Sequence, residues 1–119
     1  MVYINSMDEG KLITLIKPYL DNCRPGDWNH AKRVVTWVKV LGENRNDLDI
    51  LVTAAYIHDI GWTNVMPNAR LIDFKKMLKL EPEANQNTEK MVNEVLNKIG
   101  FEQIDIQSVV RLVKAADNH

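Results

Sequence analysis

The stretch LDILVTAAYIHDIG, residues 48–61, decides how this chain is read. Ile50, Leu51, Ala54, Ala55 and Ile57 recur at the three- and four-residue spacing of a helix that begins after Asn46 and Asp47. His58 closes the apolar face made by Leu51, Ala54 and Ala55, and Asp59 follows it directly, with Gly61 as the breaker behind. Consecutive side chains on a regular helix point about 100° apart. His58 and Asp59 therefore reach one point in space only at a helix end or a distortion, and Gly61 is expected to supply the flexibility.

The same periodicity recurs on both sides, and no convincing strand alternation interrupts it. Upstream, Ser6 is a candidate cap with Glu9 in capping-box position. Leu12, Leu15, Ile16 and Tyr19 follow at helical spacing, and Pro18 is expected to bend or loosen that helix. Pro25, Gly26 and Asp27 end one element and open the next, with Asp27 as N-cap. Ala31, Val34, Val35, Val38 and Leu41 then form an apolar face that exits at Gly42.

Downstream, residues 63–68 read as loop. Ala69 to Leu80 shows helical spacing through Leu71, Phe74, Met77 and Leu78, and Pro82 is expected to stop it. A separate helix carries Met91, Val92, Val95, Leu96 and Ile99 and ends at Gly100. After Asp105 a last helix aligns Ile106, Val109, Val110 and Val113. The expected fold is all-α, an irregular bundle of five or six helices in one domain over residues 1–119.

Composition narrows the function classes. With 119 residues there is room for one domain, and 15 Lys and Arg against 16 Asp and Glu leave a net charge of -1. That balance gives no electrostatic reason to expect nucleic acid or an anionic membrane as partner. No apolar run approaches the roughly 20 residues of a membrane span, and the N-terminus lacks a secretory pattern. Cys23, the sole cysteine, excludes an internal disulfide and any all-cysteine metal site within one chain. A soluble, cytoplasmic protein is expected.

Three histidines occur: His30, His58 and His119. His30 lies on the first turn of the second helix, on the face of Val34, Val38 and Leu41. Two imidazoles at the ends of otherwise apolar faces converge if those helices pack as neighbours. Asp27-x-x-His30 followed by Ala54-Ala55-Tyr56-Ile57-His58-Asp59-Ile60-Gly61 resembles the signature of the HD superfamily of metal-dependent phosphohydrolases. In that family a histidine, a later His-Asp pair and a distant aspartate hold the metal. The resemblance runs from about Asp27 to the end of the chain. It implies that His30, His58, Asp59 and Asp117 ligate one divalent cation, with His58 and Asp59 at the catalytic centre. Imidazole and carboxylate donors suit manganese, iron, nickel, cobalt, zinc or magnesium.

Two departures qualify the match. Two-metal members carry further histidines after the His-Asp pair, and none lies between Asp59 and Asn118 here. A one-metal site is therefore expected, unless Glu83 substitutes. The stretch from Val113 to Asp117 aligns either with the family's last ligand or with an earlier segment that often reads His-Asp. In the second alignment Ala116 stands in the histidine's place, and the terminal aspartate lies beyond His119, the chain being cut short.

Other residues read as ordinary. Arg24, Lys32 and Arg33 flank His30 as solvated charges rather than anion ligands, and Lys75, Lys76 and Lys79 mark a wet face. Trp28 and Trp62 read as core or rim packing before pocket walls, Cys23 as an inert thiol, and Met66, Met77 and Met91 as gap fillers. The resemblance implies hydrolysis of a phosphate ester, a nucleotide or a related small phosphorylated metabolite. The alternative is a non-catalytic helical sensor or binding module that keeps the scaffold.

Overall fold

The computed structural model describes residues 6–24, 26–63, 65 and 74–117. Five α-helices run in the order α1 (Ser6–Asp21), α2 (Asp27–Leu41), α3 (Leu48–Ile57), α4 (Phe74–Ile99) and α5 (Gln103–Asp117), with a 3-10 turn over Ile60–Trp62. Among the described residues there is no strand, as the periodicity predicts. No described helix is long and apolar enough to cross a membrane.

The centre is α3. Ile50, Val52, Thr53, Ala54, Ala55, Tyr56 and Ile57 are all buried, so this helix is enclosed on nearly every side rather than along one stripe. Helices α1, α2 and α5 pack around it, and α4 covers the 3-10 turn at its exit. The only strongly polar side chain buried inside α3 is Thr53, whose hydroxyl donates to the Asp49 carbonyl at 2.7 Å. Leu12, Ile16 and Leu20 of α1, Val92, Val95 and Leu96 of α4, and Ile106, Val109 and Val113 of α5 complete the core.

Several helix ends differ from the sequence reading for local reasons. Proline does not stop α4, and the two helices expected on either side of Pro82 are one helix of 26 residues. Pro82 and Leu78 both lie on the exposed face. The Leu78 carbonyl that loses its donor at Pro82 is therefore on the side where water can satisfy it. Pro18, also exposed, lies inside α1 as expected; the helix continues to Asp21, and the Asn22 side-chain amide donates to the Pro18 carbonyl at 2.8 Å.

The Ser6 side chain, the other half of the expected capping box, lies outside the described residues. The Glu9 carboxylate accepts from Lys39 Nζ at 2.7 Å and from the Tyr56 hydroxyl at 2.6 Å, tying α1 to α2 and α3. Asp27 is not the cap of α2 either: Gly26, with φ of 84°, holds that position, and Asp27 is the first helical residue. Gly100 does sit in the left-handed region expected of it, with φ of 92°. The Phe101 N–H reaches the Leu96 carbonyl and the Gly100 N–H the Asn97 carbonyl, the paired bonds of a Schellman ending. Leu41 and Trp37 of α2 are exposed, so the apolar face predicted for this helix extends beyond what the fold covers. The expected loop at 63–68 and the helical spacing over 69–73 lie largely outside the described residues, as does Met66.

Gly61 has a different role from the flexibility predicted for it. It is buried, and a Cβ there would overlap the Ala84 carbonyl oxygen and the Thr88 hydroxyl of α4. Close approach of α4 to the turn after Asp59 therefore requires glycine. Gly61→Ala should destabilise the fold by about 1–3 kcal/mol through overpacking, read from urea unfolding. An unchanged midpoint would mean that α4 yields freely.

The Glu9 network yields a pH dependence. Burial alone raises the Glu9 carboxyl, but the Lys39 and Tyr56 hydrogen bonds outweigh it and hold Glu9 below its ordinary value of 4.5. A carboxyl depressed in the folded state stabilises above its unfolded value, and that contribution is lost as pH falls through the folded one. The stability gap between the parent and Glu9→Gln should thus be full near neutrality and close in acid. Denaturant unfolding at pH 7 and near pH 3 measures it; a gap constant with pH would refute the assignment.

Candidate metal centre

The first turn of α2 and the C-terminal cap of α3 bring His30 and His58 together, with ring centroids 5.3 Å apart and the planes at 65°. Asp59 joins them. One ligand atom from each of His30, His58 and Asp59 can be chosen so that all lie within 4.8 Å of one another. The helix ends where this geometry demands it. His58 keeps helical angles as the last cap of α3, while Asp59 takes φ of -103° and ψ of 11° and opens the 3-10 turn. This change of path lets two consecutive side chains face the same point.

Local hydrogen bonding sets the protonation of His58. Its Nδ1 lies 2.7 Å from the Ala55 carbonyl oxygen. A carbonyl only accepts, so Nδ1 carries a proton and donates it. Asp59 Oδ2 lies 3.0 Å from Nε2, and a carboxylate also only accepts, so in this contact Nε2 is protonated too; neutral His58, with its proton on Nδ1, has the Nε2 lone pair for a cation instead. Burial opposes the charged imidazole, but the hydrogen bond and charge of Asp59 outweigh it and raise the His58 pKa above its ordinary value. Burial also works against the Asp59 carboxylate; here too His58 and Arg24 prevail and lower its pKa.

Arg24 departs most from the sequence reading. It is no solvated charge: its side chain is 18% exposed, and its Nη2 lies 3.0 Å from Asp59 Oδ2. Its Nε donates to Asp27 Oδ2 at 3.0 Å, its backbone N–H donates to the same oxygen at 2.8 Å, and its guanidinium carbon stands 4.6 Å from the centre of the Trp62 ring. Asp27 is buried, and that burial raises its carboxyl despite the Arg24 contacts. Nothing in the sequence alone ranks Arg24 above Lys32 or Arg33, which are exposed as expected. The one available signal is Asp27 three residues later across Pro25 and Gly26, an arrangement in which an aspartate can turn back to a preceding N–H.

The remaining candidates separate clearly. Asp117 is the last residue of α5, and its side chain lies outside the described residues, as does His119. Glu83, the possible substitute ligand, is exposed on α4 and absent from the His30–His58–Asp59 group. Trp28 stacks on Tyr56 at 6.3 Å, and Trp62 is buried beneath Arg24. Met77 and Met91 pack against the core. Beside His58 a cavity of about 290 Å³ opens between α2, α3 and α5, lined by Val34, Val38, Leu51, Ala54, Leu112 and Val113 among others.

The family model of the HD domain matches residues 27–119 of this chain. The protein belongs to that family, and so to the superfamily of metal-dependent phosphohydrolases that shares its scaffold. Members of this superfamily typically bind divalent metals, and the His30–His58–Asp59 cluster lies within the matched span. No curated protein and no solved structure gives a match.

Cys23 is chemically quiet despite its place beside the centre. Burial pushes its thiol up to about 12, and its sulfur meets the Tyr19 carbonyl at 3.3 Å. The native protein should resist a thiol-titrating disulfide reagent near pH 8 and react stoichiometrically once unfolded, because the thiolate is the nucleophile. Rapid labelling of the folded chain would contradict this environment.

Proposed function

We propose that the protein is a metal-dependent phosphohydrolase that cleaves a small phosphate ester, with His30, His58 and Asp59 holding one divalent cation. The observation that carries this reading is the convergence of those three ligand atoms to within 4.8 Å. The donor set fits a cation: two imidazole nitrogens and a carboxylate oxygen make a mixed site, and the Ala55 hydrogen bond leaves Nε2 of neutral His58 free to coordinate. When bound, the cation supplies Lewis acidity to the phosphoryl group and lowers the pKa of the attacking water.

The chain's own residues do the rest. The Asp59 carboxylate orients the water, and the Asp59–Arg24 contact keeps that carboxylate in place. His30 is exposed, which leaves the centre open to an anionic substrate. The apolar cavity next to His58 offers room for the organic part of a nucleotide or related small metabolite. Asp117 is the fourth ligand in this reading, on family resemblance alone. No nucleic-acid or membrane partner enters it.

A specific observation keeps the non-catalytic alternative open: no histidine between Asp59 and Asn118 is available for the second metal of two-metal relatives. Metal binding without turnover is what that alternative requires.

Manganese, nickel or cobalt should raise the melting temperature by mass action and support hydrolysis of p-nitrophenyl phosphate, and His58→Ala should abolish both. Ligating imidazoles must be neutral, so the metal-induced shift should weaken in acid. Because Asp59 raises the His58 pKa, the weakening should begin above the ordinary imidazole value of 6.5. A melting curve indifferent to every divalent ion defeats the metal centre; metal stabilisation without hydrolysis of any phosphate ester leaves the binding module.

A further inference from the structure

Arg24 makes contacts that neither a surface charge nor a substrate-capturing arginine requires. It lies on the turn between α1 and α2, yet its guanidinium spans two carboxylates, with Nε on Asp27 Oδ2 and Nη2 on Asp59 Oδ2, each at 3.0 Å. A third restraint is the Trp62 ring, 4.6 Å from the guanidinium carbon. Trp62 belongs to the turn that follows Asp59, so Arg24 grips both the side chain of Asp59 and the backbone segment leaving it. Asp27 in turn holds Arg24 by its backbone N–H as well as by Nε, which fixes where the guanidinium starts. The planar fork of arginine can serve two acceptors and a ring face at once, whereas the compact ammonium of lysine cannot.

Asp59 Oδ2 has two cationic or potentially cationic neighbours, His58 Nε2 and Arg24 Nη2, both at 3.0 Å. If His58 Nε2 turns its lone pair to a cation, its hydrogen bond to Asp59 is lost. Arg24 is then the described side chain that still donates to this oxygen. We infer that Arg24 is a positioning residue for the metal centre: anchored by Asp27 and stacked on Trp62, it holds the Asp59 carboxylate in its ligating orientation. This rests on the metal-binding reading above and adds to it an outer contact that its ligand list lacks. Orienting partners of metal-ligating side chains typically matter by about ten- to a hundredfold in metal affinity.

The test uses the full chain with cobalt as the probe ion, followed by calorimetric titration and by the visible absorption of bound cobalt, with far-ultraviolet circular dichroism for helicity. Arg24→Met should bind cobalt about ten- to a hundredfold more weakly and show a changed absorption envelope. Arg24→Lys keeps the charge and should recover only part of the affinity, which also covers the case in which the methionine variant does not fold. Asp27→Asn loosens the anchor without touching a ligand. Its effect should be smaller than that of Arg24→Met and should not add to it in the double variant, since both act through one chain of contacts. Parent-like affinity and an unchanged spectrum in Arg24→Met or Arg24→Lys would overturn the inference while leaving the metal centre standing. So would full additivity with Asp27→Asn. A parent protein that binds no cobalt would instead overturn the reading on which the inference rests.

Discussion

Burial of α3 on nearly all its faces is the constraint from which the rest follows. A ten-residue helix enclosed by three others has to leave the core somewhere, and its C-terminal carbonyls and first polar side chains emerge together. His58 and Asp59 are that exit. Their polarity in a mostly enclosed place is tolerable only because each finds partners: the Ala55 carbonyl for Nδ1 of His58, and Arg24 for Asp59. Hydrophobic packing thus delivers the chemistry-bearing residues to one position, and short-range polar contacts set their protonation and orientation.

The electrostatics of the centre divides two aspartates that share one arginine. Asp59 also faces His58 and His30, and its pKa is lowered; for Asp27 burial outweighs the Arg24 contacts, and its pKa is raised. One guanidinium therefore serves a carboxylate suited to holding a cation and another that acts as a structural anchor. The difference comes from the neighbours of each group and from no difference in residue type.

The helices on the ligand side of the fold were legible because their signals are local. The approach of His30 to His58 and Asp59 also followed from the pattern, since both apolar faces must turn inward and both end in imidazole. What was not legible depends on geometry between elements. Pro82 reads as a stop, but its place on the wet side of a long amphipathic helix makes the lost hydrogen bond tolerable. Glu9 fits a capping box by spacing, but spacing gives no sign that Lys39 and Tyr56, distant in sequence, meet its carboxylate. Arg24 looks like any other basic residue until Asp59 and Trp62 are placed next to it. Gly61 announces a break in the helix but not the backbone of α4 pressed against it.

The interval from Arg24 to Asp59 contains His30, the two other members of the cluster, and both carboxylates bound by the guanidinium. It amounts to one antiparallel pair of helices with the turn that precedes it. The packing of α2 on α3 brings these groups near one another, with α1 and α5 packed around the pair and α4 over the 3-10 turn. In folding terms the loop that closes the centre is the interval from Arg24 to Asp59 rather than the whole chain, a modest saving because closure entropy grows only slowly with loop length. The segment between the 3-10 turn and α4 lies outside that interval, so a change in its length leaves the spacing of His30, His58 and Asp59 along the chain unaltered.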